Sequence, residues 1–307
     1  MKRLCLGLMA LLLVVSASMA ADKPPTLSDK LQDTSVTVRA ANSEGSGSSF
    51  CRDGYSFVWT AAHVVDGLRR TRSVIVNGKN QTIVEFDDAK VVKVLIEDGR
   101  TVGRIEIDAK VVKYSDSDYG EDLAILLVRK KGFLTGSVDF YLTGELIPLG
   151  ERLLHCGSLL GEMGSNSLTS GIMSQHGRVI KKKVYDQTTV VAFPGSSGGA
   201  VVSARTGKYV GMLVRGTRIQ GFNLMVPSRR IVRWCRDEGI MWAIDKKAPF
   251  PKDITKVRIE DKRLSPGNEP GGKSVIKKSF PFLIKEIPEH GKMHVPTLSR
   301  RIEVVQP

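Results

Sequence analysis

This 307-residue chain predicts an all-β protein built of two similar units. Three observations carry that prediction. Short runs rich in β-branched and aromatic residues recur at close spacing, separated by Gly, Asn and Asp turns. The runs form two sets, from about Ser35 to Val128 and from Leu153 to Val226, with the weakly periodic stretch Lys130 to Gly150 between them. Short polar motifs lie beside the runs: Thr60-Ala61-Ala62-His63, Glu121-Asp122-Leu123-Ala124 and Pro194-Gly195-Ser196-Ser197-Gly198-Gly199.

In the first set, strands are expected at Ser35 to Val38, Phe57 to Thr60, Val74 to Val76, Val91 to Ile96, Val102 to Ile107 and Leu123 to Val128. Asn77-Gly78 is a hairpin turn signal. In the second set they are expected at Leu153 to Cys156, Leu168 to Ser174, Thr188 to Ala192, Ala200 to Val202, Tyr209 to Val214 and Phe222 to Val226. Strands at this spacing argue for antiparallel barrels or sandwiches, two units around one cleft. Pro227-Ser228 opens a helical pattern with Ser228 as the cap and Ile231, Val232, Trp234 and Cys235 as the apolar face, ended by Gly239. The expected division is a signal peptide over 1–20, β-units over 31–135 and 136–227, a terminal helix over 228–244, and a basic tail over 245–307.

The first twenty residues read as a secretory leader, because Lys2 and Arg3 precede an apolar stretch from Leu4 to Val15 and a small-residue site at Ser18-Met19-Ala20. Export to a bacterial periplasm, a cell envelope or the medium is expected. The mature part keeps Cys51, Cys156 and Cys235, an odd number at no metal-ligand spacing, so buried free thiols are expected rather than a disulfide framework. The formal charge is +14, which favours anionic surfaces such as membrane or cell-wall polymer. Nucleic acid is not expected, since no binding motif accompanies the charge. The tail holds eight of the thirteen prolines and an excess of basic residues, and reads as mostly extended or disordered.

A histidine, an aspartate and a glycine-flanked serine in that order are the components of a nucleophile with its general base and orienting carboxylate. His63, Asp122 and Ser197 are the candidates. Asp116 and Asp118, in a polar Ser-Asp-Ser-Asp loop, are alternatives for the carboxylate, and His155 and His176 read as ordinary polar positions. Gly195 permits a sharp turn that aims the amides of Gly195 and Ser197 at one point, an oxyanion hole. The same residues fit the Gly-x-Ser-x-Gly elbow of α/β-hydrolases, but that fold needs its histidine after the serine. Only His290 and His294 follow, in the Pro-rich tail. No cofactor or metal is called for.

Gly45 to Phe50, Thr60 to Val65, Leu168 to Ser174 and Pro194 to Val201 resemble the trypsin-like serine peptidases, specifically their HtrA/Deg branch. The resemblance spans about residues 33–240. It implies two six-stranded antiparallel β-barrels of the chymotrypsin type and an ATP-independent endopeptidase acting on unfolded or damaged polypeptides. It further implies His63, Asp122 and Ser197 as the triad, and a homotrimer, which is common in the family. Val191 would lie at the floor of the primary pocket, with Leu213, Val214, Arg215 and Gly216, and Gly221 to Asn223, as walls. No acid sits at that floor, so a small or medium apolar residue is expected there. Arg215 or Arg218 would favour acidic residues near the scissile bond, or else be simply solvated. Ser196 stands where zymogen-type peptidases carry an aspartate, and the 63 residues after the terminal helix are too few and too polar for an ordinary PDZ domain. The alternative reading is a protease-like binding or holdase protein with little turnover.

Overall fold

The structure, a computed structural model, describes residues 24–216, 221–254 and 257. The described strands are β1 (Ser35–Ala40), β2 (Ser43–Arg52), β3 (Tyr55–Thr60), β4 (Arg69–Val76), β5 (Lys79–Phe86), β6 (Ala89–Glu97), β7 (Arg100–Ser115), β8 (Leu123–Val128), β9 (Arg152–Leu159), β10 (Gly164–Ile180), β11 (Lys183–Thr188), β12 (Ala200–Ser203), β13 (Tyr209–Arg215) and β14 (Asn223–Pro227). They close two six-stranded antiparallel barrels, in the orders β1-β2-β3-β8-β7-β6 and β10-β11-β14-β13-β12-β9. Among the described residues β4 and β5 pair only with each other, as a hairpin around Asn77-Gly78. Closure leaves neither barrel with a free sheet edge.

Among the described residues there are three α-helices, α1 (Leu27–Thr34), the single turn α2 (Ala62–Val65) and α3 (Ser228–Asp237), and three short 3-10 turns. A capping box starts α1: Asp29 N donates to Thr26 Oγ1, and Asp29 Oδ2 accepts from Thr26 N. Leu31 anchors this helix in the core.

Four details differ from the sequence expectation. The strand expected at Thr188 to Ala192 lies five residues earlier, at β11, because Val184, Tyr185 and Asp186 hold the ladder positions, while 189–192 bend into the site loop. Ser228 is the first helical residue rather than the cap; Pro227 holds the cap position without a side-chain bond. The Gly/Ser-rich β2, a low-propensity sequence, is a full strand because it lies between β1 and β3 and packs on both. The tail does not begin at Asp245. Phe250 sits against Trp242, Phe57 and Tyr55 at ring separations of 5.5, 6.2 and 6.0 Å, and Ile254 is buried. The remainder of the predicted tail, including His290 and His294, lies outside the described residues, as do the leader and Arg218.

One core cluster spans both barrels, and a smaller one, with Leu153, Met173, Val201 and Met225, fills part of the second. Trp59 of β3 is fully buried and meets Phe140 of the 129–151 crossover at 5.5 Å and Trp234 of α3 at 5.8 Å. Phe140 in turn stacks on Tyr209 of β13 at 4.5 Å. The Trp59 indole N–H donates to the Ala243 carbonyl, 2.9 Å. Aromatic rings of this size carry much of a core's burial energy, so α3 and the crossover fix the barrels against each other rather than serving the second alone. Cys51, Cys156 and Cys235 are free thiols.

Candidate active site

His63 sits in α2, immediately beyond β3, where the strand passes into a single helical turn. Asp122 precedes β8 with φ +60°, a left-handed conformation that aspartate tolerates better than most residues. Asp116 builds the loop that imposes this: its Oδ1 accepts from the amides of Asp118 and Tyr119 at 2.7 and 2.8 Å, and its carbonyl accepts from Asp122 N at 3.2 Å. Of the three candidate aspartates, Asp122 is the one at the imidazole. Both of its oxygens lie 3.0 Å from His63 Nδ1, and Oδ1 also accepts the His63 backbone N–H at 3.1 Å. Asp116 is spent on its own loop, and Asp118 faces Lys181 at 3.7 Å.

The pair is electrostatically coupled. Burial pushes the imidazole pKa down, but the charge of Asp122 and its hydrogen bond outweigh this and hold His63 above its ordinary value. Burial pushes the Asp122 carboxyl up, yet the charge and hydrogen bonds of His63 hold it below the ordinary carboxylate range. An ionised Asp122 requires the proton on Nδ1, which leaves Nε2 with its lone pair.

The serine turn lies against the first barrel. Ser46 of β2 donates its N–H to Ser197 O at 2.8 Å and its hydroxyl to Gly195 O at 2.7 Å, and accepts from Ser158 N at 2.7 Å. A Cβ on Gly198 would collide with the Ser46 carbonyl and come 2.5 Å from Thr60 Oγ1 and 3.0 Å from Ala61 N, so the turn abuts the residues that lead into His63. The Ser197 hydroxyl donates to Val214 O at 3.3 Å; among the described residues, it makes no hydrogen bond to His63.

Two peptide planes in the turn are held by their carbonyls. Pro194 O accepts from Leu160 N at 2.7 Å, and Ser196 O accepts from Gly199 N at 3.1 Å. In a trans peptide the N–H points opposite the C=O, so the amides of Gly195 and Ser197 are turned away from these bonds. Neither amide has a partner among the described residues. Gly195 has φ +94°. Ser196 is buried and its Oγ accepts from Phe193 N at 2.9 Å, a lock internal to the loop.

The expected pocket residues are only partly gathered. Gly216 faces Ala192: a Cβ on Gly216 would lie 3.2 Å from Ala192 Cβ and 3.5 Å from Asn223 Oδ1. The Asn223 amide nitrogen donates to Val190 O at 2.7 Å. Val191, expected at the floor, is 41% exposed, whereas Leu213 and Val214 are buried. Ala192 was not among the predicted residues; it follows Val191 directly, and only the bend at 189–192 selects it. His155 is buried with Nδ1 donating to Ala200 O at 2.9 Å, and burial lowers its pKa to about 4. His176 meets Asp186 at 3.2 Å, which Arg229 also holds with two bonds of 2.6 Å. Both histidines are thus structural. Among the described residues no cluster of His, Cys, Asp or Glu is arranged to hold a metal.

Twin barrels with a His–Asp pair on one and a glycine-flanked serine turn on the other are the arrangement of a trypsin-like peptidase. The trypsin-like peptidase domain family matches residues 45–212, more than half of the chain, and the chain belongs to that family. The chain is 29% identical over 203 residues to a serine protease Do-like HtrA of Lactobacillus helveticus, covering 62% of this chain and 41% of the relative. It therefore spans about two fifths of that relative's length. Among solved structures, Deg5 aligns with TM-score 0.50 and 22% identity over 71% of this chain and 93% of its own, a shared fold. A serine endoprotease from Yersinia pestis aligns with TM-score 0.49 and 18% identity, over 71% and 68% of the two chains.

Proposed function

We propose that this chain is an exported serine endopeptidase that hydrolyses unfolded or damaged polypeptides, with Ser197 as nucleophile, His63 as general base and Asp122 as the orienting carboxylate. The observation that carries the reading is the Asp122 carboxylate with both oxygens on His63 Nδ1. It leaves Nε2 with its lone pair free to take a proton.

In this mechanism the Ser197 side chain rotates from the Val214 carbonyl to His63 Nε2, a contact that commonly tightens only when substrate binds. Oγ then attacks the scissile carbonyl carbon as its proton passes to Nε2. The negative charge gathering on the carbonyl oxygen is met by the amides of Gly195 and Ser197. Imidazolium, stabilised by ionised Asp122, returns the proton to the leaving amine, and the acyl group remains on Ser197. Water, deprotonated by the same imidazole, hydrolyses the ester and restores the hydroxyl. The small wall formed by Ala192 and Gly216 suits a small or medium apolar residue before the cleaved bond.

The resting bond from Ser197 to Val214 O also supports the second reading, a binding protein with little turnover. The two are separated by incubating the purified chain with casein and with a fluorophosphonate. Cleavage and covalent labelling, both lost in Ser197→Ala, are expected; equal residual cleavage in that variant would overturn the assignment of the nucleophile. Export through residues 1–20, a homotrimer and attachment of the basic C-terminal residues to anionic membrane or wall polymer are proposed from the sequence and its resemblance.

A further inference from the structure

We infer that Arg215 is a specificity residue that binds a carboxylate side chain of the substrate, an Asp or Glu in the residues just before the cleaved bond. The inference rests on the peptidase reading above. Arg215 ends β13 and directly follows Val214, whose carbonyl holds the Ser197 hydroxyl at 3.3 Å. Its place in the chain is therefore next to the reacting atom. Gly216, the following residue, faces the primary pocket at Ala192.

Among the described residues the Arg215 guanidinium meets no anion. Its carbon lies 5.7 Å from the ring centre of Tyr185, its Nε is buried with no hydrogen-bond acceptor, and among the described residues no carboxylate pairs with it. The neighbouring cations are supplied. Arg230, over the same Tyr185 ring at 4.9 Å, holds Glu121 at 2.6 Å, and Arg229 holds Asp186 at 2.6 Å. Lys183 donates to Ser117 O at 2.7 Å. Among the described residues, Arg215 alone of these four has only an aromatic face.

The two terminal nitrogens of this half-buried side chain make no hydrogen bond among the described residues and are not among its buried atoms, so a ligand carboxylate can reach them and form bonds that are charge-assisted and directional. The Asp122 carboxylate cannot serve, since both its oxygens are on His63. The positive charge is nonetheless felt at the catalytic pair, where it opposes protonation of His63 and favours ionised Asp122. An anion arriving at Arg215 is thus bound within electrostatic reach of the reaction.

The test compares fluorogenic peptides that are identical except for Glu, Gln or Lys at each of the second to fourth residues before the cleaved bond. At one of these positions, wild type is expected to cleave the Glu peptide with kcat/KM about tenfold above its Gln twin, the size of one charge-assisted hydrogen bond. R215Q should bring that ratio to about one, R215K should keep part of it, and R215E should invert it in favour of Lys. A merely structural role would change all peptides together and leave the ratio intact. Each variant is checked for folding by thermal melting, and the ratio is read within one variant, so a general loss of rate does not obscure it. A wild-type ratio near one at all three positions, or the same ratio in R215Q, would overturn the assignment while leaving the peptidase reading in place. Failure of wild type both to label with a fluorophosphonate and to cleave any peptide overturns the peptidase reading, and this inference with it.

Discussion

Gly195→Ala is the substitution that most directly tests how the serine turn works. The backbone at this position has φ +94°, a region L side chains rarely occupy. The added Cβ would lie 2.6 Å from Gly161 N and closer still to Ser158 O. Both are backbone atoms, so no flexible side chain can move aside. Strain from the dihedral alone is about 1–3 kcal/mol, and the overlap adds to it. The loop is relieved most readily by turning the Pro194–Gly195 peptide, which breaks the bond from Leu160 N and withdraws the Gly195 N–H from the oxyanion site. Loss of one such donor costs about 10²–10³ in kcat, or roughly 3–4 kcal/mol of transition-state stabilisation. KM should change little, because the amide acts on charge that develops only during reaction. The assay is steady-state hydrolysis of one good peptide by wild type and variant, alongside thermal melting. The His63–Asp122 pair lies on the other barrel and should be undisturbed. A variant with wild-type kcat would refute both the steric argument and the role given to the Gly195 amide.

Replacing Asp122 with Asn should lower turnover by about 10⁴ through the wrong imidazole tautomer. The rate requires neutral His63, whose pKa is held above its ordinary ~6.5 by Asp122. The acidic limb of kcat/KM in wild type should therefore fall above pH ~6.5, and in Asp122→Asn the residual activity should have its limb at lower pH. A limb that does not move between the two would show that the carboxylate does not set it. Phe250→Ala removes a ring packed on Phe57 and Trp242. It should destabilise the protein by about 1–3 kcal/mol, less than a fully buried phenylalanine would, and chemical denaturation that gives an unchanged midpoint would argue that residues 246–254 are not docked.

A good deal of this protein is legible in the chain itself. Short β-branched and apolar runs between turn residues fix where most strands occur, because that composition is a local property of a few residues. The Asn77-Gly78 turn and the Leu123–Val128 strand appear where the sequence puts them, each being specified by its own few residues. The histidine, aspartate and serine motifs are readable together rather than singly: each alone is weak, and their order beside apolar β-like runs is what signals the site.

Tertiary structure decided the rest, wherever the determining contact lies outside the short run that specifies a strand or a turn. Nothing in Gly45 to Ser49 announces a strand, yet those residues lie between β1 and β3, and Ser46 reaches across to hold the turn at Gly195. Asp122 rather than Asp116 faces His63 because Asp116 is consumed by the loop amides that set Asp122 at φ +60°. Ala192 rather than Val191 faces Gly216 because 189–192 leave the ladder. Phe250 and Ile254 fold back on the first barrel because Trp242 and Phe57 offer apolar surface there, which a count of prolines and lysines does not reveal. Local propensity determines which segments form strands; which side chains meet is set by loop geometry, barrel closure and packing, between residues as near as Asp116 and Asp118 and as far as Ser46 and Gly195, 149 apart.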